Sequence, residues 1–424
     1  MTADEKLQRY VVPNYGRYPI WPVRANGTEV WDRDGKRYLD FAGGVAVCPV
    51  GHAHPAIVEA LSKQASTLIH VSNWYCIEGQ AHLAERLVNE VVEIEGKCFF
   101  CNSGAEANEG LLKLARRYGV QQRGLKAPKI ITFTNSFHGR TLGAMFATAQ
   151  SKIWGDFGLE PAELGYIHLP FNDTSALKSV FSQHSDIVAV LLEPIQGESG
   201  VNAVTADFLR TAQSLCRAHN ALLLLDEVQC GFGRAGHLSG WRAIIPGDEI
   251  QPDGISWAKA MGSGYPLGAF WVRDAAMPNG GKLCDLLGPG SHGTTYGGSP
   301  LACAVGLATV DTIINEDLCG NAEMVGNFIR TEATAWKHPL ITTIRQKGLF
   351  IGFELEADSI KRAAGEKAPS IFLAGLLLNA GLMTVPAGPN VVRWLPPLNI
   401  SKQDAIEALS IMRAVLDEVS TPMP

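Results

Sequence analysis

No apolar stretch in the chain approaches the roughly 18 residues a membrane-spanning helix needs, so no segment is predicted inside a bilayer. Charge is scarce as well. Only 18% of the 424 residues are charged, they sum to −6, and no run of Lys or Arg stands out. That argues against a general affinity for nucleic acid, although a small anion needs only a few placed donors. The nine cysteines, at 48, 76, 98, 101, 216, 230, 284, 303 and 319, form no framework. An odd, scattered set is expected of reduced thiols in a cytoplasm. The opening Met-Thr-Ala-Asp-Glu-Lys-Leu-Gln-Arg-Tyr mixes both charges and lacks the apolar core of a secretion signal. No metal site is expected either. Cys98 and Cys101 form a CxxC inside an apolar run that reads as a buried strand, and no second pair follows at zinc spacing. His52 and His54 form an HxH without further ligands, so a turn is the expected role.

Apolar residues make up 46% of the chain, enough for a large core. Hairpin signals come first: Asn26-Gly27 separates Trp21–Arg24 from Glu29–Asp32, and Asp34-Gly35 precedes Arg37–Phe41. Helical spacing follows over Ala56–Ile69 and Gly79–Val92. Short apolar strands are predicted at Cys98–Cys101, Lys129–Phe133, Ile187–Leu192, Ala221–Leu225, Gly254–Trp257 and Gly268–Val272. Helices such as Glu106–Tyr118, Ala206–His219 and Pro300–Ile314 alternate with them. That alternation predicts an α/β fold with a mostly parallel sheet covered on both faces. The last hundred residues differ. A long strand Ile344–Leu355 is expected, then helix Pro369–Ala380, strands Met383–Pro386 and Val391–Leu395, and helix Lys402–Val419. The expected division is a large domain over 61–315 and a smaller α+β domain over 316–424, with residues 1–60 packing against the smaller one.

Two motif matches fail on context. Gly231-Phe-Gly-Arg-Ala-Gly236 is literally GxGxxG, but His-Leu-Ser-Gly-Trp follows it where a dinucleotide site needs a helix to begin. Ser256-Trp-Ala-Lys259 matches the SxxK of serine acylases without their companion SDN and KTG signatures.

Other residues suit an aldehyde cofactor that carries a ring nitrogen and a phosphate. Such a group needs a lysine, a carboxylate for the ring nitrogen, and backbone donors for the phosphate. Asn102-Ser-Gly-Ala-Glu-Ala-Asn-Glu109 follows a strand and opens a helix, where Ser103 can cap and the amides of Gly104 and Ala105 can face an anion. Asp226 ends an apolar strand, the position at which open α/β sheets bind ligands. Lys259 ends another, before Gly262-Ser-Gly264, where burial would lower the pKa of its amine. Each alone is ambiguous: a strand-to-helix turn, a surface acid or a solvated lysine would look similar.

Together with Ser136-Phe-His-Gly-Arg-Thr141, Glu193-Pro-Ile-Gln-Gly-Glu198, Asp226-Glu-Val-Gln229 and Gly293-Thr-Thr-Tyr-Gly-Gly298, these motifs resemble the class III pyridoxal-phosphate aminotransferases. Their order and spacing are most similar to the acetylornithine branch, from about Tyr15 to Ile411. The resemblance implies a fold type I transferase with pyridoxal 5'-phosphate joined to Lys259 as an imine. Lys259 would also shuttle the reacting proton, and Asp226 would pair with the ring nitrogen. Gln229 would bond the ring hydroxyl, Val228 and Phe137 would cover the two ring faces, and Ser103, Gly104 and Ala105 would lie at the phosphate. Thr295 would reach the phosphate from a partner subunit, which implies a homodimer with shared sites. His138, inside its motif, is expected to orient the local backbone.

The resemblance also places substrate. Arg140 would grip a carboxylate, with Thr294 beside the substrate, and Arg393 would receive the α-carboxylate of glutamate or 2-oxoglutarate. Glu198 would pair with Arg393 while an ω-amine is bound and swing away for the dicarboxylate. The implied reaction moves the terminal amino group of N-acetylornithine to 2-oxoglutarate by a ping-pong route, as a step of arginine biosynthesis. Ornithine, succinylornithine, succinyldiaminopimelate, lysine-derived donors and 4-aminobutyrate are alternatives. So are an aminomutase, which needs no dicarboxylate, and a binding protein without catalysis. Cys230 and Ala235 stand where related chains have threonine, and Ser299 where asparagine is usual. These departures are expected to alter how loops meet the distal end of the substrate.

Overall fold

The computed structural model describes residues 1–420. Its largest sheet has seven strands, ordered Gly96–Cys101, Gly268–Arg273, Gly254–Trp257, Leu222–Asp226, Ile187–Leu192, Lys129–Phe133 and Tyr166–Leu169. The last five run parallel to one another, whereas Gly268–Arg273 is antiparallel to both neighbours. Leu222–Asp226 and Ile187–Leu192 are buried along their whole length, as unbroken apolar strands covered on both faces must be. Helix Gly104–Arg123 covers one face. It buries Ala107, Leu111, Leu114, Ala115 and Tyr118, the 3–4 spacing of a single helical stripe.

Two four-stranded sheets and a two-stranded one, Ile195–Gln196 with Asn202–Ala203, accompany this layer. Pro22–Asn26, Glu29–Asp32 and Arg37–Asp40 form an antiparallel meander, and Leu382–Met383 joins its last strand in parallel. The backbone N–H of Leu395 also donates to the Phe41 carbonyl at 2.7 Å, so the two ends of the chain share an edge. Ile341–Lys347, Phe350–Leu355, Val391–Trp394 and Val385–Ala387 make the third sheet, all antiparallel. Helices Leu318–Ala335, Pro369–Asn379 and Lys402–Ser420 accompany it.

Several elements differ from expectation, among them the strand predicted over Met383–Pro386, which is split between Leu382–Met383 in one small sheet and Val385–Ala387 in another. The long strand predicted over Ile344–Leu355 is a hairpin that turns at Gly348, whose φ of +53° lies in the left-handed region open to glycine. Edge strand Tyr166–Leu169 was not predicted; four residues carrying a tyrosine and a histidine give too short a pattern. The predicted helix Gly79–Val92 is an α-helix over Glu78–Arg86 that continues as a π-helical turn, Leu87–Val92. No helix among the described residues is long and apolar enough to cross a membrane.

The hairpin turn sits hard against helix Leu318–Ala335, where a Cβ on Gly326 would lie 1.9 Å from the Gly348 carbonyl oxygen. Alanine in a helix interior is favoured over glycine by about 1 kcal/mol, but overlap with backbone cannot be relieved by a rotamer. Gly326→Ala is therefore expected to lose roughly 1–3 kcal/mol in urea unfolding. A variant as stable as the parent would show that the turn moves freely.

Candidate active site

Three carboxyl ends of the large sheet bring the site together. Strand Leu222–Asp226 ends on a buried carboxylate. Its Oδ2 accepts from Asn108 Nδ2 at 2.7 Å and from His138 Nδ1 at 2.8 Å, and its Oδ1 accepts the Val228 N–H at 3.0 Å. Asn108 is held in turn by Ser256, whose hydroxyl donates to Asn108 Oδ1 at 2.6 Å. A carboxylate offers about four acceptor positions, so three bonds leave one for a donor in the adjoining cavity. Strand Gly254–Trp257 ends next door and leads through Ala258 to Lys259. Lys259 has φ +48°, uncommon for a long side chain and costing on the order of 1–3 kcal/mol. Burial pushes its ammonium below the ordinary lysine range; Glu198 opposes that shift and Arg393 adds to it.

Strand Gly96–Cys101 ends at the third point, where helix Gly104–Arg123 begins. The first N–H groups of a helix have no partner within it, so Gly104 and Ala105 present donors backed by the helix dipole. A Cβ on Gly104 would lie 2.7 Å from Val228 Cγ1, so only glycine lets the helix start so close to the Asp226 loop. A cavity of about 220 Å³ opens between Gly104, Phe137, Val228, Asp226 and Lys259. Arg140, exposed at its rim, lies with its guanidinium carbon 5.6 Å from the centre of the Phe137 ring.

Arg393 enters from the third sheet, completely buried. Its Nη1 and Nη2 each donate to Glu198 Oε1 at 3.1 Å, and Nη1 also donates to Gln229 Oε1. Gln229 Nε2 donates to the same Glu198 oxygen at 3.2 Å, closing a three-residue network. Burial alone would raise the Glu198 carboxyl, but Arg393, Lys259 and the hydrogen bonds together hold it below the usual range.

Other predicted residues lie outside that cavity. Thr294 and Thr295 line a separate, larger cleft of about 1210 Å³, not the Lys259 cavity of their own chain. Thr294 Oγ1 accepts from Asn102 Nδ2 at 3.0 Å and donates to Glu106 at 3.2 Å, while Thr295 is exposed. The Ser103 hydroxyl serves as helix cap, accepting the Glu106 N–H at 3.2 Å. Three residues not given a direct place in the site from the sequence belong to it. His138 touches Asp226 with its ring, beyond any effect on local backbone. Asn108 sits one helical turn after Gly104, which was a readable signal. Glu193 Oε1 accepts the Phe137 N–H at 2.9 Å, and burial, then Asp226, push its carboxyl well above the usual range. The departures Cys230 and Ala235 are packed in a small apolar cluster with Ile195, Phe350 and Leu395, and Ser299 caps helix Pro300–Asn315. None of the three lines the cavity. The described residues contain no cluster of three or more metal-ligating side chains.

Residues 10–416 match the class III aminotransferase family, and the chain belongs to that family. The acetylornithine aminotransferase of Caldanaerobacter subterraneus subsp. tengcongensis is 40% identical over 414 residues, 97% of this chain and 98% of that protein. The solved acetylornithine aminotransferase of Elizabethkingia anophelis is 32% identical, with a TM-score of 0.82 over 98% of each chain. A structure of Toxoplasma gondii ornithine aminotransferase, with PLP at partial occupancy in its active site, is 29% identical with a TM-score of 0.87. It covers 99% of this chain and 95% of its own. The chain is thus an α/β transferase of the pyridoxal-phosphate aminotransferase class.

The lowered Glu198 carboxyl makes the pair stabilising above the unfolded carboxylate pKa, with loss as pH falls through the folded value. The stability difference between the parent and Glu198→Gln is expected to stay constant from about pH 8 to 5 and to shrink below about pH 4. Urea unfolding of both proteins across that range checks it, and a constant difference down to about pH 2 would contradict it.

Proposed function

We propose that this protein transfers the terminal amino group of N-acetylornithine to 2-oxoglutarate, giving the semialdehyde and glutamate in two half-reactions. The observation that carries the proposal is the Glu198–Arg393 pair beside buried Lys259. A guanidinium that binds a carboxylate in one half-reaction has to be covered when the donor offers none next to its reacting amine. Glu198 provides that cover, and a guanidinium accepts either carboxylate with the same fork. The acetylornithine aminotransferases among its relatives support the choice of donor.

Pyridoxal phosphate, when bound, supplies an aldehyde that takes up the amine and a ring that draws electrons from the carbon bearing it. The residues present fit that group. Lys259 would hold it and carry the proton at Nζ, helped by a lowered pKa that leaves more of the amine unprotonated at neutral pH. Asp226 would use its remaining acceptor position for the ring N–H. The first helix amides, with Ser103 shaping the turn, would meet the phosphate, and Val228 and Phe137 would enclose the ring. Gln229 Nε2 has a second hydrogen to offer a ring oxygen while the first stays on Glu198. Arg140 at the rim would take the carboxylate of the donor. Thr295, remote from its own cavity, would serve a second copy in a homodimer, with Thr294 positioned at the substrate. The reaction would then belong to arginine biosynthesis in the cytoplasm.

Donors compared for glutamate formation should rank N-acetylornithine above ornithine, succinyldiaminopimelate and 4-aminobutyrate in kcat/KM, with no turnover unless 2-oxoglutarate is added. A different best donor overturns the assignment, and turnover without a keto acid overturns the transferase reading in favour of a mutase. Lys259→Ala should lose the absorbance of the bound cofactor imine, and Asp226→Asn should lower kcat about 100-fold or more. Glu198→Ala should favour the dicarboxylate half-reaction over the donor half-reaction, and an unchanged ratio of the two rates refutes the role given to Glu198.

A further inference from the structure

We propose that Arg234 is a positioning residue for substrate recognition, clamping the strand that carries Arg393 to the loop that carries Gln229. The inference rests on Arg393 as the site of the dicarboxylate. Arg234 is completely buried and makes no ion pair among the described residues. Its Nη1 instead donates to two carbonyl oxygens from separate segments, Leu349 at 3.0 Å and Pro396 at 2.6 Å. The Leu349 N–H donates back to the Arg234 carbonyl at 3.1 Å. Leu349 stands at the hairpin turn before strand Phe350–Leu355, which pairs with the Arg393 strand through Gly352 opposite Arg393 and Ile351 opposite Trp394. Pro396 lies two residues beyond the end of that strand. One guanidinium therefore holds both the recognition strand and its neighbour.

The glycine-rich segment that resembles a dinucleotide loop acquires a reason here. A Cβ on Gly233 would lie 2.7 Å from Leu398, one on Gly236 would lie 2.2 Å from Glu323, and one on Gly348 would lie 2.4 Å from the Gly236 nitrogen. The glycines let loop 231–236 press against the C-terminal region, and Arg234 locks the contact. Gln229 lies two residues before that loop and bonds Arg393 itself. The clamp and the recognition network are thus two ends of one connection. A buried guanidinium is costly, and burial pushes this one down to about 9 against the opposing influence of Cys48 and Asp40. An apolar side chain would fill the same volume but could not span two carbonyls.

The test uses the cofactor-loaded protein and glutarate, a dicarboxylate without a reacting keto group. Arg234→Ala is expected to keep the imine absorbance of Lys259 and to lose about tenfold in glutarate affinity by calorimetry. The Michaelis constant for the keto-acid substrate, 2-oxoglutarate, should rise by a similar factor. Turnover at saturation and the Michaelis constant for the amine donor should hold within about twofold, and Arg234→Lys should recover part of the loss. Hydrogen exchange over residues 391–396 should quicken in Arg234→Ala. If that variant does not fold, Gly348→Ala separates the same surfaces and should give the same pattern. Glutarate binding at the parent level in the variant, or equal damage to both substrates, overturns the role of Arg234. Glutarate binding unaffected by Arg393→Ala overturns the underlying reading of Arg393 and this inference with it.

Discussion

The carboxylate of Asp226 has to remain in place where water cannot hydrate it. An unpaired charge there would be expensive, so its surroundings are specified from three directions. Asn108 reaches it from the helix that begins at Gly104, His138 from the loop after strand Lys129–Phe133, and Val228 from its own turn. Ser256, on the neighbouring strand, fixes Asn108. Moving any of these elements would break a bond to a buried charge, so the network ties the sheet, the helix start and the cavity wall into one rigid body.

Lys259 occupies the other side of that cavity under opposite pressures. Burial disfavours its charge, while the carboxylates of Glu198, Asp226 and Glu193 favour it, and Arg393 opposes them. The result is an amine that gives up its proton more readily than a surface lysine, in a backbone conformation that long side chains seldom adopt. A positive φ at such a residue persists only where the surrounding structure determines it, here the turn Lys259–Gly262 that follows a buried strand. Electrostatics and strain meet at the same residue.

The large sheet supplies the groups suited to a phosphate and a ring, and the third sheet supplies the arginine suited to a carboxylate. These two sets of groups come from sheets that fold from distant parts of the chain. Glu198, Gln229 and Arg393 close that gap with side chains, and loop 231–236 closes it with the Arg234 guanidinium and the Arg234 carbonyl. Asp226 and Lys259 are thus anchored to one sheet and Arg393 to another, with the junction holding the two in register.

The sequence by itself determined the alternating strands and helices, the strand ends at Asp226 and Lys259, and the helix start at Gly104. These are local matters: apolar periodicity, capping and the placement of glycine act over a few residues, so a short window contains their cause. Ordered motifs along nearly the whole chain determined the family in the same way. The hairpin inside Ile344–Leu355 and the edge strand Tyr166–Leu169 were not legible, since a turn at one glycine and a four-residue strand leave little pattern. Only the tertiary structure decided that the His138 ring meets Asp226, that Glu193 is a buried acid beneath Phe137, and that Thr295 lies away from the Lys259 cavity of its own chain. It alone turned Gly231–Gly236 from a false nucleotide motif into a junction between sheets. These facts rest on contacts between residues far apart in the chain, and burial and charge pairing are properties of such contacts rather than of any local pattern.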